Sequence, residues 1–219
     1  MIIAGVDEAG RGPCVGPMVL AVACIEKKNE QTLKEIGVKD SKLLTPKQRN
    51  KLLKQLLGLT TETFSTQVSA QEIDSLRDHK SLNEVEAMRI GFLLNSLKQK
   101  PDMVFVDSPD FYAQNFAKRI YNYISFKTKI IAEHKADLNY PIVGAASIIA
   151  KVERDAAISD LEKVYGKIGS GYPHDEQTIR FLKDFLHQNK YLPEIVRKSW
   201  LTTQRIMDEK FQQKLVLSD

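Results

Sequence analysis

Cysteine is scarce in this chain. Cys14 and Cys24 are the only two, and their spacing is not CxxC, which argues against a disulfide framework or a structural zinc site and suits a reducing compartment. Long apolar runs are missing as well. No stretch approaches the roughly 20 apolar residues of a membrane span, and the N-terminus lacks the basic flank and extended apolar region of a secretory leader. The expectation is a soluble, cytoplasmic protein with no membrane partner. Internal repeats, low-complexity tracts and flexible linkers are absent, as are the GxSxG elbow, the GxxxxGK[ST] phosphate loop and any Cys/His signature. No side chain therefore sits in an obvious nucleophile setting.

A strong charge of one sign is also lacking. Lys and Arg number 32 against 28 Asp and Glu, a net +4 that is too small to indicate nucleic-acid binding. The surplus is localised, however. Between Glu26 and Gln55 there are nine Lys/Arg and four Asp/Glu, a local +5, so this segment is either a phosphate-facing surface or a solvated helix face.

The 219 residues, 42% hydrophobic and 27% charged, bury an ample core as one large unit or as a main unit with an appendage. Ile2–Asp7 and Val15–Ile25 read as strands separated by a Gly/Pro-rich loop. Thr45 followed by Pro46 starts a helix that Gly58 stops. A strand follows at Glu62–Val68. Ser69 with Glu72 and Ser81 with Glu84 have capping-box spacing, the second opening a long helix with Leu82, Val85, Met88, Phe92 and Leu97 on its inner face. MVFVD (103–107) and TKIIA (128–132) read as buried strands of a βαβ unit, whose helix turns Tyr112, Phe116, Ile120 and Tyr123 inward. Pro141–Tyr165 is a long helix. Gly166–Pro173 breaks the pattern, and 175–214 is helical with an interruption near Pro193. The order predicts an α/β core followed by a helical C-terminal part.

Asp7, Asp107 and Asp137 each lie at or just beyond the C-terminal end of an apolar strand, where open α/β sheets place ligands. Glu8 adjoins Asp7. Two carboxylates about 4 Å apart repel by roughly 4 kcal/mol at an effective dielectric of 20, so a cluster of them calls for a neutralising cation. All-oxygen donors favour Mg²⁺ or Mn²⁺, with metal-activated water as the nucleophile. Plainer roles exist, since Asp107 can cap the next helix and Asp137 can be a loop residue. Strand alternation sends Asp7 and Glu8 to opposite faces. Both serve one site only if the strand has already ended or if Glu8 offers its backbone carbonyl. His79, His134, His174 and His187 are scattered, and for His134, near Asp137, a structural or exposed role is expected.

Six blocks occur in order: DEAGRGPCVGP (7–17), KDSKLLTPKQR (39–49), VDSPD (106–110), HKAD (134–137), ASIIAKVERD (146–155) and GSGYPHD (169–175). With them the chain resembles type 2 ribonuclease H (ribonuclease HII) over about residues 1–200, most closely its archaeal branch. The resemblance implies an RNase H-like α/β fold, a mixed central sheet flanked by helices. It also implies a catalytic core over 1–165 and a C-terminal helical extension over 166–219 packed on it. The implied activity is cleavage of the RNA strand of RNA/DNA hybrids and at ribonucleotides embedded in duplex DNA, leaving 5′-phosphate and 3′-hydroxyl ends. Asp7, Glu8, Asp107 and Asp137 match the family's catalytic and metal-binding carboxylates, which hold two divalent cations, Mg²⁺ or Mn²⁺.

On the same resemblance, Gly10, Arg11 and Gly12 match the loop that contacts the ribose 2′-hydroxyl, and Tyr172 the tyrosine that stacks near the following sugar. Lys39, Ser41 and Lys42 match positions that hold the substrate backbone. Lys151 supports phosphate or the acidic cluster, as does Arg154, with a helix-surface salt bridge as the alternative for both. The C-terminal helices, including Trp200, are less motif-like, and a part for them in gripping the duplex is implied by the family alone. A monomer acting on nucleic acid is expected. Two other classes compete: a non-catalytic hybrid-binding protein, and another polynucleotidyl hydrolase of the same fold, such as a junction resolvase.

Overall fold

The strand β1 (Ile2–Ala9) has seven buried residues of its eight, the pattern of a strand covered on both faces. A computed structural model describes residues 1–38 and 44–216, with side chains as far as residue 210. β1 pairs antiparallel with β2 (Met18–Glu26), from Ile2 opposite Glu26 to Ala9 opposite Val19. On its other edge it pairs parallel with β4 (Met103–Asp107), Ile3 beside Met103 and Val6 beside Val106. β4 in turn pairs parallel with β5 (Lys129–Glu133). With β3 (Glu62–Val68) the order is β3-β2-β1-β4-β5, a mixed sheet.

The helices are α1 (Glu30–Glu35), α2 (Pro46–Leu59), α3 (Ala70–Arg77), α4 (Leu82–Ser96), α5 (Ala113–Tyr121), α6 (Ala136–Asn139), α7 (Pro141–Tyr165), α8 (Glu176–Asn189) and α9 (Leu201–Val216). Local chemistry sets several of their ends. Thr45 accepts from Gln48 N while the Gln48 side chain accepts from Thr45 N, a reciprocal capping box with Pro46 in the first turn. Ser69 and Ser81 accept from the backbone N–H of Glu72 and Glu84. α7 stops at Gly166, whose φ of 77° suits the left-handed position after a helix. None of the described helices is long and apolar enough to cross a membrane.

Several sequence expectations are corrected: β1 runs on from Asp7 to Ala9, and α2 passes through Gly58 to Leu59. β2 begins at Met18, not Val15, because Gly16 turns with φ 87° and Pro17 offers no N–H; Val15 instead bridges Val196. Tyr112 is not on the inner face of α5 but caps it, 66% exposed, while Phe116 and Ile120 are buried as expected. Phe92 is 49% exposed and packs on Phe64 of β3, since Ile90, Leu93 and Leu94 fill the buried side of α4.

The chain divides into two compact units. One comprises 1–9, 19–67 and 80–155. Its core joins Ile3, Val19, Ala21 and Phe105 of the sheet to Leu52 and Leu56 of α2 and to Ile142, Val143, Ala146 and Ile149 of α7. The other comprises 10–18, 68–79 and 156–219. Its core gathers Cys14 and Val15 with Ile168, Phe181, Leu182, Leu186, Val196 and Ile206. The helical segment expected after residue 166 supplies one of three stretches that build this second unit.

Candidate active site

In the first unit, Val6 and Val106 are paired neighbours on parallel strands, so the residues that follow them, Asp7 and Asp107, stand at the same level on adjacent strands. Asp7 is 6% exposed, and burial pushes its carboxyl up to about 6. The Asp107 charge pushes the same way, while the Lys151 charge and hydrogen bonds from the Ser147 side chain and Glu8 N–H oppose it. The Glu8 N–H lies 2.9 Å from Asp7 Oδ1.

The contact of Ser147 and Lys151 with Asp7 follows from how α7 crosses β1. At Gly5 a Cβ would collide with the Ile142 carbonyl and stand 2.5 Å from Val143 N, so only a bare Cα lets the helix backbone lie this close. Asp7, two residues on, points to the same face as Gly5. It therefore meets α7 about a turn past Ile142, where Ser147 is fully buried. Lys151, one further turn along, donates to Ser147 Oγ.

Asp107 also positions the third acid. Its Oδ1 accepts from Ala136 N at 2.8 Å, fixing the first residue of α6 and with it Asp137, which is 3% exposed. Lys135, just before, has φ 56° and ψ 38°, a left-handed conformation that costs a non-glycine residue roughly 1–2 kcal/mol. Tight anchoring surrounds this turn. The two ring nitrogens of His134 lie 3.2 Å from the carbonyls of Ser108 and Phe111, so its N–H donates to one of them, and Ser108 N donates to Glu133 O at 2.9 Å. His134 thus has the structural role expected of it. Buried Asp110 accepts from Arg119 Nε at 2.9 Å and from Asn83, and Arg119 also donates to Glu84 at 2.8 Å. The loop that follows Asp107 is therefore braced from below.

Glu8 behaves differently. β1 does not end at Asp7 but continues to Ala9, with Glu8 opposite Leu20, so the Glu8 side chain leaves the face opposite Asp7. Its backbone carbonyl is the group left to share a site with Asp7. Among the described residues, no three His, Cys, Asp or Glu side chains are grouped closely enough to hold one ion. The part already assembled is the pair Asp7 and Asp107, with Asp137 one residue beyond the backbone that Asp107 grips. An oxygen-only pair with one buried carboxyl whose charge is disfavoured suits a hard dication, which would offset both the burial and the like-charge repulsion.

The second unit holds Gly10, Arg11, Gly12 and Tyr172. Gly10 has φ 83°, and the loop it opens is gripped by Arg197, a fully buried side chain. Its Nε, Nη1 and Nη2 donate to the carbonyls of Gly16, Arg11 and Gly10 at 3.1, 2.9 and 2.6 Å. Trp200 Nε1 donates to Gly12 O at 3.1 Å. Gly12 faces Tyr172, since a Cβ there would lie 3.5 Å from Tyr172 Cε1. Tyr172 sits in a loop tied to the start of α8. Asp175 Oδ2 accepts from Ser170 N at 2.6 Å, its Oδ1 from Gln177 N at 2.9 Å, and buried Thr178 accepts from Gly171 N at 2.9 Å. The Ser170 backbone N–H first, then the Ser170 side chain and the Gln177 N–H, hold the Asp175 carboxyl down to about 2.

Lys39, Ser41 and Lys42 lie outside the described residues. Sequence reasoning missed Ser147 and Arg197 and gave Trp200 no specific role. The spacing of four between Ser147 and Lys151 is the signal that one helix face carries both. Arg197 had none, because the carbonyls it holds belong to residues 181 to 187 positions away.

The sequence profile of the family described as ribonuclease HII matches residues 4–203. The chain is 46% identical to ribonuclease HII of Pyrococcus horikoshii over 219 residues, all of this chain and 98% of that protein. Among solved structures it is similar to ribonuclease H2 from Pyrococcus horikoshii OT3, with TM-score 0.91 and 47% identity over 97% of this chain and 99% of the other. It also shares its fold with Bst-RNase HIII, solved in complex with Mn²⁺, at TM-score 0.81 and 17% identity over 97% of this chain and 71% of that one.

Proposed function

The chain belongs to the ribonuclease HII family, and from that membership we propose a metal-dependent ribonuclease H endonuclease. It cuts the RNA strand of RNA/DNA hybrids and at ribonucleotides embedded in duplex DNA, leaving 5′-phosphate and 3′-hydroxyl ends. The observation that carries this reading is the pair of aspartates side by side on adjacent parallel strands after Val6 and Val106, one of them buried and pushed up to about 6.

Asp7, Asp107 and Asp137, with the Glu8 carbonyl, would hold the divalent cations. Bound there, Mg²⁺ or Mn²⁺ ions supply an activated water and neutralise charge on the phosphate and leaving oxygen. The chain's own groups prepare the site. Ser147 and Lys151 favour the ionised form of Asp7, Asp107 fixes the backbone ahead of Asp137, and Lys151 adds a fixed positive charge beside the acids. In the second unit, the Gly10–Gly12 loop and Tyr172 read the ribose, whose 2′-hydroxyl distinguishes RNA from DNA. Lys39, Ser41 and Lys42 hold the substrate backbone.

The test is a labelled DNA duplex bearing one ribonucleotide, incubated with Mg²⁺, with Mn²⁺ and with chelator. Nicking beside the ribonucleotide only with metal, giving ends that ligase rejoins to a 5′-phosphate, is the expected result. Binding without cleavage in either metal would overturn the catalytic reading in favour of a hybrid-binding protein, and equal cleavage of branched all-DNA substrates would favour a resolvase.

A further inference from the structure

The geometry points to Arg197 as a positioning residue for ribonucleotide cleavage, acting by clamping the Gly10–Gly16 loop from behind. This inference rests on the proposal that the loop reads the ribose. Its basis is the bonding pattern of one side chain. A guanidinium removed from water is costly unless its donors are satisfied. Here Nε, Nη1 and Nη2 each reach a different carbonyl of one short loop, those of Gly16, Arg11 and Gly10. The Arg197 backbone joins in, its N–H donating to Cys14 O at 2.8 Å. Four carbonyls of the loop are thus held by a single residue.

Arginine is specifically suited to this. Its planar fork spreads donors over fixed directions, whereas a lysine ammonium is a compact charge on a flexible stem and cannot span three separated acceptors in the same way. The clamp is itself secured. Two guanidiniums lie over the Trp200 ring, Arg197 at 4.9 Å and Arg77 at 4.8 Å from its centre, and its indole N–H donates to the Gly12 carbonyl. Asp74 of α3 accepts from Lys198 N at 2.7 Å and Ser199 N at 3.1 Å, anchoring the backbone between Arg197 and Trp200. With its carbonyls drawn toward Arg197 and Trp200, the loop has few backbone orientations left. A loop that reads a sugar through backbone groups needs that rigidity, because small displacements of positioning groups cost large factors in rate.

Arg197→Lys and Arg197→Gln test the clamp against wild type. The readouts are kcat and KM on the one-ribonucleotide duplex, circular dichroism to correct for folded fraction, and amide hydrogen exchange resolved to the peptide covering residues 10–16. Per folded molecule, Arg197→Gln should lose about 100-fold in kcat while KM stays within about threefold. Arg197→Lys should recover only a minor part, and exchange should rise in the 10–16 peptide of both variants with β1 unchanged. Wild-type kcat per folded molecule with unchanged exchange in that peptide would overturn the proposal, as would a loss explained by the unfolded fraction alone. Wild-type cleavage of an all-DNA duplex as fast as the ribonucleotide duplex would overturn the sugar-reading role of the loop, and the exchange of residues 10–16 would still decide whether Arg197 holds it.

Discussion

Gly5 of β1 lies directly beneath the Ile142 carbonyl of α7, with no room for a Cβ between them. The neighbour is helix backbone, which cannot rotate aside, so Gly5→Ala forces the helix off the strand. Overpacking of this kind costs typically about 1–3 kcal/mol, occasionally more. A lower denaturation midpoint is expected in urea, together with reduced cleavage per folded molecule because Ser147 and Lys151 move with α7. Unchanged stability would show that the helix does not rest on this contact.

The raised Asp7 carboxyl predicts how stability responds to pH without metal. Its folded value of about 6 lies above the ordinary 3.8, so between these values the folded state keeps a proton that the unfolded state releases. Stability from this group is therefore present below about pH 4 and is lost as pH rises through 6, by at most on the order of 3 kcal/mol. In chelator, Asp7→Asn should unfold at a higher temperature than wild type at pH 7 and close to wild type at pH 4. Added Mn²⁺ should raise the melting temperature of wild type and leave the variant unmoved. The same variant should lose cleavage while keeping hybrid affinity, and full turnover by it would refute the metal-ligand assignment.

Ser147→Ala removes a hydrogen bond that holds the Asp7 carboxyl down. The carboxyl then rises further, and more alkaline solution is needed to ionise it for metal. The acid limb of the pH–rate profile should shift to higher pH, with the plateau rate at high pH much less affected. An unshifted profile would show that Ser147 does not act on Asp7.

Gly12 faces Tyr172 with space for one carbon at ordinary contact distance, 3.5 Å, and its φ is not positive. Gly12→Ala should therefore fold normally, with a melting temperature within a few degrees of wild type. Its effect should fall on discrimination between ribonucleotide and all-DNA duplexes and spare overall duplex affinity. Unaltered nicking beside a single ribonucleotide would remove Gly12 from sugar recognition.

How much of this was legible in sequence depended on range. The capping serines and Thr45, the Val106–Asp107 strand end and the β4-α5-β5 crossover rest on chemistry within a few residues, and the structure contains each of them, whereas β1 runs past Asp7 to Ala9 because pairing with β2 carries it on. Periodicity puts Tyr112 and Phe92 on inner faces although both are exposed, because it marks apolar positions without saying which neighbour covers them. The β-branched Val15 reads as strand, but the turn that Gly16 and Pro17 impose delays β2 to Met18.

By itself the sequence determined the order of helices and strands, the oxygen-only donors and the family, all of which follow from short-range periodicity, side-chain chemistry and ordered motifs. Only the tertiary structure decided that β1 runs on through Glu8 to Ala9, that Ser147 and Lys151 meet Asp7, and that Arg197 grips a loop up to 187 positions earlier in the chain. Those relations depend on strand register and on where one helix crosses one glycine. Packing between distant segments sets both, and nothing within a local stretch of residues encodes it.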